Sequence, residues 1–163
     1  MAELIDSQTI FFNNFEPKTK NRFIMYIDGI PAYLIKATDR PKLELGINVI
    51  EHININRKTK SGKSNWKELS VTLYDAIVPS GAQAVMEWIR LSHESVTGRD
   101  GYASFYKKDI TIDVLDPVGA ICEQWILKGA FISDAEFGNL DWAAGEVQEF
   151  TFTLAMDYAI LNF

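Results

Sequence analysis

Cysteine is almost absent from this sequence. Cys122 is the only one, which excludes an intramolecular disulfide framework and makes a reducing compartment the default expectation. With no histidine partner of assignable geometry, that thiol reads as a small hydrophobe. Histidine is nearly as scarce: His52 and His93 are the only side chains that titrate near neutrality, each beside a glutamate, Glu51 or Glu94. Neighbours on a strand point to opposite faces, and on a helix they diverge by about 100°, so neither pair builds a joint proton-transfer or metal site. Both read as solvated surface residues. Long apolar runs are missing too, and no stretch approaches the roughly 20 residues of a membrane span. The opening MAELIDSQTIFF has neither the basic nor the continuous apolar stretch of a signal peptide, so the expectation is a soluble protein made inside the cell.

Positive charge is in deficit, with 16 Lys and Arg against 22 Asp and Glu, a net charge of −6. That balance argues against tight, charge-driven binding of nucleic acid, which needs clustered cations. A role beside DNA is compatible with it, because a wall that must not trap DNA would also be acidic. Catalytic motifs are lacking as well. Gly62-Lys63-Ser64 matches the end of a phosphate-binding loop, but that pattern needs a glycine where Arg57 stands and a helix after it. The carboxylates Asp109, Asp113, Asp141, Glu146 and Glu149 have no spacing that picks out a catalytic pair. The expectation is a protein that is not an enzyme and holds neither cofactor nor metal.

What is present is a hydrophobic fraction of 47%, enough for the core of one domain, and a repeated period of two. From Leu43 to Ile55 the odd positions carry Leu43, Leu45, Ile47, Val49, Glu51, Ile53 and Ile55, and the even ones mostly polar residues. Such a strand would reach roughly 40–50 Å, longer than one small domain needs. A basic loop, Lys58 to Asn65, follows it, and a partner strand runs from Trp66 to about Ile77. Before it, alternation over Arg22–Asp28 and Ala32–Thr38 around Asp28-Gly29 predicts a hairpin. Behind Pro79, Ser80 with Gln83 forms a capping box for the one convincing helix, at about 80–94, whose stripe is Ala82, Val85, Met86, Ile89 and Trp88 or His93. Strands at about 105–115 and 120–133 flank the turn Asp116-Pro-Val-Gly119, and a last strand alternates from Phe150 to Tyr158. Short antiparallel connections of this kind predict a mainly β chain: a two-sheet antiparallel sandwich or barrel with one flanking α-helix and a long extended hairpin. Residues 1–20 read as an arm whose Phe11, Phe12 and Phe15 either fold back or dock on a neighbouring subunit; residues 21–163 read as a single β domain.

Two segments resemble a known family. Asn139-Leu-Asp-Trp142, followed by Glu146-Val-Gln-Glu-Phe-Thr-Phe-Thr-Leu-Ala-Met-Asp-Tyr158, resembles the closing segment of tail tube proteins from contractile-tailed phages of the T-even kind. Asn21-Arg-Phe, Ile35-Lys-Ala-Thr38 and Pro41 resemble their opening pattern. The resemblance implies a virion protein assembled in the host bacterial cytoplasm as hexameric rings. These would stack into a tube with the sheath outside, baseplate and terminator proteins at the ends, and DNA passing through without sequence-specific binding or membrane insertion. Tubes of type VI secretion and extracellular contractile injection systems use related subunits and form the alternative; a small-ligand-binding β-barrel is a more distant one, and would need a closed pocket with convergent polar groups. Within the tube reading, Asn48, His52, Asn54 and Asn56 are expected to line the channel while the apolar face packs on the subunit's own core. Lys58, Lys60, Lys63 and Asn65 at the hairpin tip are expected to touch the adjoining ring, and Phe11, Phe12 and Phe15 a neighbour.

Overall fold

The computed structural model describes residues 16–162. Among them are nine strands, a twelve-residue helix α1 (Gly81–Ser92), a single helical turn α2 (Ala103–Tyr106) and a short 3-10 turn at Ala32–Leu34. The strands are β1 (Phe23–Tyr26), β2 (Ile35–Thr38), β3 (Leu43–Glu51), β4 (Asn56–Trp66), β5 (Leu69–Tyr74), β6 (Lys108–Leu115), β7 (Ile121–Glu136), β8 (Glu149–Ala155) and β9 (Tyr158–Asn162). Every pairing is antiparallel. The expected β class, with its helix and extended hairpin, is what forms.

Two sheets share one strand. The sixteen residues of β7 pair with β9 over Gln124–Lys128 and with β8 over Phe131–Glu136. One sheet thus runs β1-β6-β7-β9 and the other β2-β5-β8-β7. The crossing falls at Gly129, whose φ of +64° is open to glycine and strained for other residues, and strands that switch sheets commonly bend in this way. Opposite it the final strand breaks between β8 and β9, where the Asp157 N–H donates to the Lys128 carbonyl at 3.0 Å. The single last strand expected from alternation is therefore two, one for each sheet.

Between the sheets lies one core. Met25, Ile110, Ile112 and Leu127 from the first sheet meet Leu69, Val71, Leu73, Phe150, Phe152 and Leu154 from the second. Helix α1 adds Val85 and Trp88; the Trp88 indole packs edge-on to Phe152 and donates to the Tyr106 carbonyl at 2.7 Å. The helix starts as expected, with the Gln83 N–H donating to Ser80 Oγ at 3.4 Å, and Asp75 Oδ1 accepts from both the Ser80 hydroxyl and the Ala82 N–H at 3.3 Å.

The predicted first hairpin is corrected. The turn at Asp28-Gly29 is present, Gly29 having a φ of +86°. Past the single bridge Ile27–Ile30, however, β1 joins β6 and β2 joins β5, so the strands enter different sheets. Alternation marks a strand without naming its partner, and burial of Met25 against β6 decides here.

Candidate assembly surface

Strands β3 and β4 form a two-stranded sheet of their own, separate from the sandwich. The loop expected at 58–65 is strand: Lys58 pairs with Val49, Lys60 with Ile47 and Asn65 with Glu44. Composition reads this polar stretch as a loop, yet strand propensity is weak against pairing with β3 on both sides of a bulge. The turn comes earlier. The His52 N–H donates to the Ile55 carbonyl at 2.9 Å and the Ile55 N–H returns to His52 at 3.3 Å, leaving Ile53 and Asn54 at the tip. The partner strand predicted from Trp66 to Ile77 is really the end of β4 and then β5, which belongs to the sandwich.

Register sorts the hairpin's two faces, since residues directly opposite share a face and neighbours alternate. One face carries Leu43, Leu45, Ile47 and Val49, with Trp66, Lys60 and Lys58 across from them. The other carries Glu44, Asn48 and Ile50 with Asn65, Thr59 and Arg57. A bulge between them sets Ser61, Gly62 and Lys63 against Gly46, where a Cβ would lie 2.7 Å from Ser61 Cβ, so glycine is required.

Placed in this register, Asn48, His52, Asn54 and Asn56 do not share a face. Asn48 stands on the polar face and Asn56, opposite Glu51, on the apolar one, while His52 and Asn54 belong to the turn. The chain reversal at 52–55 resets the alternation that an uninterrupted strand would have kept. Lys58 and Lys60 run along the shaft instead of the tip, on the apolar face, whereas Lys63 sits in the bulge and Asn65 on the polar face. Phe11, Phe12 and Phe15 lie outside the described residues. The apolar row does not pack inward on the domain as expected: Ile47 is 65% and Val49 51% exposed.

The hairpin is tethered at its root by a group that sequence reasoning overlooked. Glu123 pairs with Val114 in the ladder, and alternation puts it on the inward face with Trp125 and Leu127. It is nearly buried at the end of the sandwich, where it accepts from Lys18, from Arg40 Nη1 at 3.4 Å and from Trp125 Nε1 at 2.5 Å. The Lys18 ammonium, with Trp125 and Arg40, holds its carboxyl below the ordinary glutamate range despite burial. Arg40 belongs to the β2–β3 linker, and Lys67 just past β4 pairs with Glu44 and donates its N–H to the Lys42 carbonyl at 2.9 Å. Both legs of the hairpin are thereby fixed while its shaft stays uncovered. Only the charge of Glu123 amid hydrophobic alternation could have flagged it.

A second projecting element lies at residues 137–148, between β7 and β8. Asp141 turns its backbone, Oδ1 accepting from the Ala143 N–H at 3.0 Å, and Trp142, next in the chain, is fully exposed with Leu140 and Val147 beside it. Between this loop and Lys36 and Tyr74 of the sheet edge opens a cleft of about 930 Å³. Elsewhere His93 Nδ1 lies 2.8 Å from Asp100 Oδ1 at the surface, and among the described residues no cluster of His, Cys, Asp or Glu is arranged to hold a metal. No described helix is long and apolar enough to cross a membrane.

The sandwich thus holds a long hairpin away from its own core, with an apolar row uncovered. The family model of the T4-like virus tail tube protein gp19 matches residues 19–160, and the chain belongs to that family. Comparison with curated protein sequences gives no significant match. Among solved structures, the fold is similar to that of the anti-feeding prophage tube-terminating cap, at 16% identity with 99% of each chain covered and a TM-score of 0.73. It is also similar to the sheath/tube terminator of the PVC extracellular contractile injection system, at 17% identity over 92% of this chain and 99% of that one, TM-score 0.73. Hcp1 from Flavobacterium johnsoniae is more distant, at 11% identity over 86% of this chain and 94% of that one, TM-score 0.50.

Proposed function

We propose that this chain is the repeating subunit of a contractile-tail tube, forming hexameric rings that stack around a channel through which DNA passes. The observation that carries this reading is the uncovered apolar row Leu43, Leu45, Ile47 and Val49 on a tethered hairpin. A two-stranded sheet is marginal alone in water, so it needs further strands or a packed face to be stable. Neighbouring copies supply both if their hairpins join edge to edge into a common barrel, satisfying the exposed edges, while other surfaces of those copies pack on the apolar faces. The opposite face then looks into the channel, with Asn48, Thr59 and Asn65 on the wall and His52 and Asn54 at its rim. A mostly polar wall, on which Glu44 and Arg57 bring opposite charges, on an acidic subunit lets DNA slide without holding it. Sheath, baseplate and terminator proteins complete the particle, which assembles in the host cytoplasm and works in the virion tail. Phe11, Phe12 and Phe15 are assigned to a contact with a neighbour.

A second reading, the tube of an extracellular contractile injection system with protein cargo, draws on the likeness to the anti-feeding prophage and PVC proteins. The same subunit chemistry serves either cargo. Negative-stain microscopy of the purified protein tests the shared claim. Hollow six-fold rings or tubes are expected; a chain that stays monomeric at every concentration and is stabilised by a small ligand would overturn it.

A further inference from the structure

We infer that the loop at residues 137–148 is the receiving surface for the hairpin of a second copy, Trp142 packing on the Ile47/Val49 row and Asp141 and Glu146 facing Lys58 and Lys60. The inference rests on the tube-subunit reading and names the partner surface within it.

Three observations carry it. The first is position. In the sheet β2-β5-β8-β7, Leu69 pairs with Leu154 at one end and Tyr74 with Glu149 at the other. The hairpin leaves at the Leu69 end, three residues after Trp66, whereas the loop enters β8 at Glu149, the Tyr74 end. Two uncovered surfaces at opposite ends of one sheet cannot satisfy each other within a chain. Between copies they make a heterologous contact, which passes from one copy to the next and either closes into a ring or continues along the tube according to the rotation between them. The second is chemistry. The hairpin sets an apolar row beside a lysine row on one face; the loop sets Leu140, Trp142 and Val147 among Asp141 and Glu146. Among the described residues, Arg57, Lys58, Lys60 and Lys63 form no ion pair, nor do Asp141 and Glu146. Apolar stripe meets apolar stripe, and cations meet anions. The third is presentation. The Asp141 turn holds Trp142 out, and exposed Trp is the side chain most enriched where interfaces concentrate their binding. The cleft behind the loop leaves space for an incoming strand.

The contact is read directly by placing a photo-reactive residue at position 142 of the full chain and irradiating across the concentration range of tube formation. Crosslinked peptides should come from residues 43–66 of another copy. Crosslinks to any other segment, or none within formed tubes, would overturn the inference while leaving the tube reading intact; absence of rings and tubes from the unaltered protein would remove both. Charge exchange is the independent arm. Asp141→Asn, which keeps the turn-forming oxygen, combined with Glu146→Lys should raise the critical concentration for assembly about tenfold, as should Lys58→Glu with Lys60→Glu, and the four together should recover most of it. Unchanged assembly in the loop variant, with its thermal unfolding as in the parent, would also overturn the pairing.

Discussion

A Cβ added to Gly129 would fall 2.1 Å from Asp157 Oδ2. This approach sits where β7 leaves one sheet for the other, and withdrawing Asp157 would disturb its ion pair with Lys107, whose Nζ lies 2.8 and 2.9 Å from the two carboxylate oxygens. Gly129→Ala adds that clash to a left-handed backbone. The expected loss is about 1–3 kcal/mol of folding stability, or roughly 2–12 °C in melting temperature for a domain of this size. Thermal unfolding by circular dichroism checks it; a variant that melts with the parent would show that the bend has another cause.

Glu123 should make stability depend on acid in a defined direction. Its folded-state pKa lies below the ordinary 4.5, chiefly through Lys18, so its stabilisation is present above the unfolded value and disappears as pH falls through the folded one. Melting curves of parent and Glu123→Gln should differ most above the ordinary glutamate value of 4.5 and converge as the pH falls through the lower folded-state value. Asp109, lowered by Lys128, shifts both proteins alike and cancels in that comparison.

The same substitution should loosen the hairpin root without unfolding the sandwich. Hydrogen exchange over residues 39–45 is expected to accelerate in Glu123→Gln, with residues 150–154 still protected. Equal acceleration in both segments would mean that Glu123 supports the whole domain instead of the tether.

Assembly and folding should separate at the hairpin. Ile47→Ser with Val49→Ser removes exposed apolar surface, so monomer stability should change by no more than about 0.5 kcal/mol. Ring or tube formation, read by sedimentation, should fall sharply. A large drop in monomer stability would place those side chains in the subunit's own core.

How much of this was visible in the sequence differs by element. The helix was legible almost to the residue, because Ser80, Gln83 and the Val85–Trp88–Ile89 stripe are local signals. Strands were legible as strands wherever one face is buried, as at Ile110, Ile112 and Val114. Their partners were not, since alternation carries no address, and β1 and β2 went to separate sheets. The hairpin shaft was half legible. Leu43 to Val49 announced a strand, but Arg57 to Asn65 is strand only through its pairing with β3. The tip therefore moved to Ile53-Asn54, and the residues expected to share one face, Asn48, His52, Asn54 and Asn56, were distributed over both faces and the turn. The surroundings of Glu123 depend on which segments meet in space, and no local pattern encodes that.

One consequence follows from β7 being common to both sheets. In most sandwiches the two layers are joined by loops, and a load that shears them is resisted by side-chain packing alone. Here a single backbone passes from layer to layer, hydrogen-bonded on either side of Gly129. Separating the layers at β7 means breaking its ladder in one sheet or the other, so at this edge backbone hydrogen bonds add to side-chain packing in holding the layers together.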